Sequence, residues 1–246
     1  MVGSSDSIAC PNMILNTIVA DVLCRFADEL EKADDFKAAL SALIQKTIRE
    51  HKRIIFNGNN YAPEWVDEAK KRGLLNLCST VDALPLYVAD DNVKLFARHG
   101  VLSGTEIHSR CEIQLENYYK QINIEALTMA DMVRKDILPA AASYMKDLAA
   151  EAARKKELGL DKGFEIPLLK KLSALADELY ADTEKLEEAD HNAPQSGDSL
   201  AAAKYYRGTV FPLMEEIRKP ADEIESLVGS RYWPYPTYGE LLFSVV

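Results

Sequence analysis

The leading candidates for catalytic or binding chemistry in this sequence are carboxylates at helical spacing. Glu112 and Glu116 lie four residues apart and so share one face of a helix, with Glu106 and Arg110 on the same segment. Paired carboxylates can bind a divalent ion, but a single helix supplies only one wall of such a site. Because opposite charges three or four residues apart commonly pair on a helix surface, we interpret these residues as a salt-bridged surface.

The histidines and cysteines lack the spacing of metal ligands. No CxxC or HExxH motif is present, and the histidines fall at helix ends or on polar faces. A helix C-terminus favours a nearby cation, which accounts for His51 and His99. We expect reduced thiols that fill apolar space, most clearly at Cys24 and Cys111. The sequence therefore assigns no metal ligand among these residues: His51, His99, His108, His191, Cys10, Cys24, Cys78 and Cys111.

Other catalytic and cofactor motifs are missing or weak. The sequence contains no GxGxxG, no GxxxxGK[ST] and no GxSxG. Gly3-Ser4-Ser5 resembles a small phosphate-holding loop, but no lysine follows it, and we interpret it as a plain turn. Arg154-Lys155-Lys156 precedes Glu157 at a helix end, where cations complement the helix dipole. No catalytic or cofactor-binding residue is predicted from these patterns.

Composition excludes several functional classes. The 246 residues are 48% hydrophobic, which is enough to form a sizeable core. A formal charge of -10 disfavours nucleic acid and anionic membranes as partners, since no basic block offsets it. No apolar run reaches the roughly 18 residues that a membrane span needs, and the N-terminus lacks signal-peptide features. We expect a cytoplasmic protein.

Apolar periodicity predicts an all-α fold that begins with short helices. The first helix runs from Asn12 to near Asp34 and the second from Asp35 to His51. The β-favouring patch from Arg53 to Phe56 is at most a lone short strand, because no second strand is available to pair with it. Three short helices follow, over Pro63 to Arg72, Thr80 to Val88 and Asp90 to His99.

Longer helices are predicted to form an antiparallel bundle over residues 103–230. One runs from Thr105 to Glu157 with a kink at Pro139, because proline removes a backbone donor. A leucine stripe follows Pro167, and a last helix, bent at Pro212 or Pro220, ends at Gly229. The aromatic, proline-containing tail, residues 231–246, is expected to be extended and to pack back on residues 1–102, chiefly through Trp233 and Tyr235. A ligand-binding aromatic patch is the alternative interpretation of this tail.

Several long strings in this chain resemble type III glutamine synthetases. They include PNMILNTIVA at 11–20, KRIIFNGNNY at 52–61, SRCEI at 109–113 and YWPYPTYGELLF at 232–243. The resemblance covers nearly the whole chain, with departures at Cys10 and Cys111. It implies an ATP-dependent ligase of nitrogen metabolism that forms glutamine from glutamate and ammonia with magnesium or manganese. It also implies that residues 1–102 are a helical remnant of the catalytic domain and that the parent is a ring-shaped oligomer.

The resemblance carries no catalytic residue onto a numbered position of this chain. The metal-binding glutamates and substrate-binding arginines of that family lie mainly on strands that precede this region. We therefore expect a C-terminal fragment with a structural and assembly role, no cofactor of its own and no activity in isolation. Its partners would be other synthetase subunits or the missing N-terminal part.

Two other functions stay open at this point. The chain could be a free-standing helical interaction or regulatory protein derived from the same region. A self-contained helical enzyme that uses Glu112, Glu116 and Glu125 is the least favoured function, because these carboxylates are spaced along one helix.

Overall fold

The computed structural model describes residues 7–160, 162–194, 197–236 and 238–243, and across these ranges the chain is helical with no β-strand. The all-α prediction is confirmed. The chain divides into two compact units, Met1–Gln114 and Leu115–Val246. Gly3-Ser4-Ser5 lies outside the described residues. The division falls within the first long helix, whereas the bundle is predicted to start at residue 103.

The first unit is built from short helices with local sequence signals at their ends. Asp35 caps the second helix by accepting a 3.1 Å hydrogen bond from the Ala38 backbone N–H. Gly73 and Gly100 adopt φ of 69° and 62° just after two of the helices, a conformation that glycine tolerates best. The helices are α1 (Ala9–Leu30), α2 (Phe36–His51), α3 (Pro63–Lys71), α4 (Thr80–Tyr87), α5 (Asp90–Arg98) and the first part of α6 (Gly104–Met132).

In the first unit, the patch predicted as a possible strand begins with a helical turn, and the core is formed by side chains from helices. Lys52–Ile54 forms a short 3₁₀ turn in place of a strand, since it directly continues α2. The core comes from α4, α5 and α6, where Phe96 and Ile107 are almost fully buried. Tyr87 packs edge-on against Phe96 with ring centroids 6.0 Å apart.

The second unit contains the long helices that the sequence predicts. α6 continues through a π turn, Val133–Ile137, into α7 (Leu138–Glu157). α8 (Glu165–His191) packs against both α7 and α10. The last long segment consists of α9 (Ser199–Tyr205), a second π turn at Tyr206–Val210 and α10 (Phe211–Leu227).

Each π turn ends two residues before a proline. Pro139 follows the first turn and Pro212 follows the second. Proline cannot donate to the helix ladder, and its ring crowds the carbonyl four residues earlier, so a wider turn at this place relieves both problems. The irregularity that the sequence predicts at Pro139 therefore begins before the proline.

The core of the second unit follows the predicted leucine stripe of α8. Leu172, Leu179 and Leu186 are almost completely buried. Ile217 and Ile224 of α10 belong to the same hydrophobic cluster, which explains why α8 is the central helix of this unit.

The C-terminal tail packs on the core of its own unit. The Trp233 and Tyr235 rings lie against the hydrophobic cluster, and the Tyr235 hydroxyl donates a 2.9 Å hydrogen bond to Asp136 Oδ2. Residues 232–236 are non-helical, but Tyr238–Phe243 form α11, so the extended segment is shorter than predicted. Packing of the tail on residues 1–102 stays a prediction.

Candidate interaction surface

A charged cluster around Asp21 fixes which side of α1 faces the first unit. Asp21 Oδ1 accepts hydrogen bonds from Arg98 Nη1 at 2.8 Å and from His99 Nε2 at 2.9 Å. Arg25 Nε lies 3.1 Å from the other carboxylate oxygen. The hydrogen bond from His99 and the charges of Arg98 and Arg25 hold the pKa of the Asp21 carboxyl below its usual range. The polar face of α1 therefore points toward α5.

As a consequence, α1 presents its apolar face to solvent. Its two buried residues are the polar Thr17 and Asp21, an inversion of the usual arrangement in a surface helix. Five large apolar side chains on the outward side are between 43% and 61% exposed. We call this surface the α1 apolar face, and it consists of Ile8, Leu15, Ile18, Val19 and Leu23.

The α1 apolar face continues toward a groove between α1 and α2. Phe26 and Leu30 of α1 and Leu43 of α2 line a cavity of about 270 Å³. Ile44 and Ile48 also line this cavity and remain half exposed. Apolar periodicity alone does not predict that so much of the apolar surface of α1 is uncovered.

The size of the α1 apolar face is enough to matter energetically. Full burial of a Val, Leu or Ile side chain stabilises by about 1.5–3 kcal/mol. At the observed exposures, covering all five side chains would contribute roughly 4–8 kcal/mol. A contiguous exposed surface of this kind is typical of a protein interface, so it is the strongest functional candidate in the first unit.

The carboxylates considered for chemistry are engaged along their own helix. Glu106 Oε2 accepts hydrogen bonds from the Ser103 backbone N–H and hydroxyl, both at 2.7 Å, and these bonds lower the pKa of Glu106. Glu116 pairs with Lys120, and Glu125 accepts from Gln121 Nε2 at 2.7 Å. The Glu116–Lys120 pair is a helix-surface salt bridge of the predicted kind, whereas Glu106 and Glu125 accept from uncharged partners and Glu112 is exposed.

The histidines and cysteines are dispersed. His99 binds Asp21, whereas His108 Nδ1 lies 2.8 Å from the Gly104 carbonyl oxygen. All four cysteines are free, and Cys111 is buried as predicted. Cys24, expected to fill apolar space, is exposed instead because α1 turns that side away from the core.

The described residues form neither a group of metal ligands nor a helix that could span a membrane. Among residues 7–160, 162–194, 197–236 and 238–243, no three His, Cys, Asp or Glu side chains come together in a group that could hold a metal ion. The residues present do not fit the magnesium or manganese sites that the family implies, so we assign no step to a metal. Within the same part of the chain, no helix is both long and apolar enough to cross a membrane.

A polar cluster in the second unit was not predicted from sequence. Asp190 Oδ1 accepts hydrogen bonds from Asn123 Nδ2 at 2.7 Å and from the Tyr206 hydroxyl at 3.0 Å. Burial, with the Asp190 charge beside it, raises the pKa of Tyr206 to about 12. Tyr206 therefore stays protonated near neutral pH and ties helices together rather than acting as a base. The three members of the polar cluster come from separate helices, so no local motif predicts the cluster.

The basic run at the end of α7 also has a structural partner. Lys155 forms an ion pair with Glu165, which is almost fully buried at the start of α8. The hydrogen bond from Lys155 lowers the pKa of the Glu165 carboxyl. This pair fixes the turn between α7 and α8 and leaves Arg154 and Lys156 exposed or half-exposed on the surface.

Comparison with known proteins gives a consistent set of similarities. A sequence profile described as "Glutamine synthetase C-terminal domain" matches residues 39–156. A glutamine synthetase of Butyrivibrio fibrisolvens is 44% identical over 86% of this chain and 31% of its own length. A type-3 glutamine synthetase of Dictyostelium discoideum is 34% identical over 98% of this chain and 34% of its own length. A glutamine synthetase of Bacteroides fragilis is 28% identical over 98% of this chain and 35% of its own length.

These similarities share one feature. The chain spans about a third of the length of the curated relatives that it matches. The matched part includes α1 and the Asp21 cluster in the two relatives that cover 98% of the chain.

Proposed function

We propose that this chain, which belongs to the type III glutamine synthetase family as its C-terminal portion, has a structural function. It folds against the preceding part of the enzyme and supports assembly. In this proposal the chain supplies no catalytic group. The free-standing interaction protein is the weaker alternative, since the similarity to complete synthetases extends over nearly the whole chain.

The α1 apolar face is the observation that carries this proposal. A helix that buries Thr17 and Asp21 while exposing Leu15, Val19 and Leu23 is oriented for a partner on its outer side. The Asp21 cluster holds that orientation without the partner, so the surface is ready for docking. The relatives extend well beyond the matched region, and their additional sequence supplies the partner in this proposal.

The activity of the complete enzyme is inferred from the family and belongs to the same proposal. The complete protein would join glutamate and ammonia at the expense of ATP, with magnesium or manganese held by residues outside this chain. It would act in the cytoplasm as a homo-oligomer. Glu106, Glu116 and Glu125 are engaged in contacts along their own helix, which favours a structural role for them.

A chimera tests the proposal directly. This chain replaces the matching third of the Butyrivibrio fibrisolvens relative, and γ-glutamyl hydroxamate formation is measured beside the isolated chain. We expect turnover and oligomer assembly by the chimera and neither by the isolated chain. The matched control carries the relative's own C-terminal third.

Two results would contradict the proposal. Turnover by the isolated chain at a rate close to that of the chimera would reveal an active site in these residues. A chimera that is folded and monodisperse but inactive, beside an active control, would mean that this chain cannot support the parent enzyme.

A further inference from the structure

The second unit carries an open apolar groove that the proposed function does not use. α6 and α10 form its two walls, and Trp233 and Tyr235 border it. The groove has a volume of about 490 Å³. Its apolar lining includes Ile124, Met129, Met132, Met214, Ile217 and Ala221.

The apolar lining is accessible from solvent. Ile124 is 58% exposed and Met132 is 38% exposed, and they lie eight residues apart on one side of α6. This separation corresponds to about 12 Å along the helix, or a little over two turns. On the opposite wall, Ala221 is small enough to allow close approach of another backbone. Methionine side chains adapt their shape to a partner, which suits a binding surface.

Acidic side chains stand on both walls of the groove. Glu125 lies on the α6 side, and Asp222 and Glu225 lie on the α10 side. Arg218 is the one cation in the lining that the structure describes, and its guanidinium lies 3.4 Å from Asp222 Oδ2. Within the described residues, neither Glu125 nor Glu225 has an ion-pair partner. The groove therefore has an apolar floor between two carboxylate-bearing edges.

We propose that this groove binds an amphipathic α-helix whose apolar stripe is flanked on both sides by lysine or arginine. Apolar anchors at i, i+3, i+4 and i+7 match a groove that follows two helices for two turns. Basic side chains on the flanks reach Glu125 on one wall and Glu225 on the other. This charge pattern defines the partner, and it distinguishes the groove from the α1 apolar face.

Fluorescence anisotropy of labelled peptides with the full chain tests the proposal. One peptide of about 18 residues, roughly 27 Å long when helical, carries leucines at helical spacing with lysines beside them. A second peptide replaces every flanking lysine by glutamate. We expect the lysine peptide to bind at least about tenfold more tightly, and the preference to weaken as salt is raised.

Charge reversal of the chain supplies the decisive arm. Glu125→Lys combined with Glu225→Lys should invert the preference between the two peptides, since both walls then carry positive charge. Glu184→Lys is the matched control, because Glu184 is exposed on α8 and is not part of the groove lining. Helix content by circular dichroism and Trp233 emission verify that each variant is folded.

Each outcome decides the matter. Inversion by the double variant with no change in the control supports the proposal. Equal binding of the two peptides, no binding by either, or an equal effect of Glu184→Lys would overturn it.

Discussion

Replacement of Val19 and Leu23 by aspartate tests whether the α1 apolar face is an interface. These side chains are 55% and 61% exposed, so more than half of their surface stays in solvent in the first unit. Full burial of two such side chains contributes about 3–6 kcal/mol, and the exposed part corresponds to roughly 1.7–3.5 kcal/mol. The Val19→Asp/Leu23→Asp variant should therefore weaken docking by roughly 15- to 300-fold, at about 1.4 kcal/mol per tenfold.

Urea unfolding separates this loss from ordinary destabilisation. Trp65 lies in the first unit and Trp233 in the second, and a Trp233→Phe background leaves Trp65 as the reporter of the first unit. In the isolated chain we expect the double variant to lower the free energy of unfolding by no more than about 1.3–2.5 kcal/mol, which is the share of the full-burial value that corresponds to the buried part of the two side chains. In the chimera the same change should lower the unfolding free energy by about 1.7–3.5 kcal/mol more and reduce hydroxamate formation.

The matched control is Leu158→Asp/Leu160→Asp. Leu158 is 76% exposed and Leu160 is 56% exposed, and both lie after α7 in the second unit. They carry the same chemistry away from the α1 apolar face. The α1 apolar face is not an interface if the chimera tolerates Val19→Asp/Leu23→Asp as well as it tolerates the control. The same conclusion follows if the isolated chain loses as much stability as the chimera.

Substitutions at three further positions test the forces within each unit. Asp21→Asn should lower the urea midpoint of the first unit at pH 7, whereas Asp28→Asn on the same helix should not. Because the folded state lowers the pKa of Asp21, its contribution is present above the ordinary carboxyl value of about 4 and is lost as the pH falls through the lower, folded value. Trp233→Ala should destabilise the second unit by about 1–2 kcal/mol, since the ring is half-buried against the core. Trp233→Phe should cost less, because the buried indole N–H has no described partner to lose. Gly100→Ala should destabilise by about 1–2 kcal/mol, since φ is 62° there.

Each of these has a result that would contradict it. A gap between wild type and Asp21→Asn that persists unchanged at pH 2.5 would exclude an ionic origin, the pH being set about 1.5 units below the ordinary carboxyl value. Equal loss from Trp233→Phe and Trp233→Ala, measured by circular dichroism, would mean that the indole nitrogen is satisfied. No loss from Gly100→Ala would show that the turn relaxes, since no described atom crowds the place that an alanine Cβ would take.

The helices of this chain could be predicted from the sequence because their signals are local. Asp35 and Ser79 cap α2 and α4 from the residue just before each helix, and the leucines of α8 repeat at three- and four-residue spacing, which gives the buried stripe that the pattern predicts. The end of the tail was less predictable. Its prolines stop at Pro236, and a short helix forms after them.

The orientation of α1 could not be predicted, because periodicity identifies an apolar face without saying what covers it. The deciding contacts join Asp21 to Arg98 and His99, which lie 77 and 78 residues away in sequence. The polar cluster of Asn123, Asp190 and Tyr206 has the same property. Both sites result from the packing of distant helices.

The two π turns have a consequence for how this family's sequences can change in length. In an α-helix, one inserted residue rotates all that follows by about 100°, which would turn buried positions toward solvent. A π turn absorbs one additional residue within a single wide turn, so the helix beyond it keeps its facing. We expect one-residue gaps in relatives to be tolerated within Val133–Ile137 and Tyr206–Val210. Elsewhere in α7, α8 and α10 the same gap would misplace the core, so these two turns are where the bundle can lose a residue and remain the same fold.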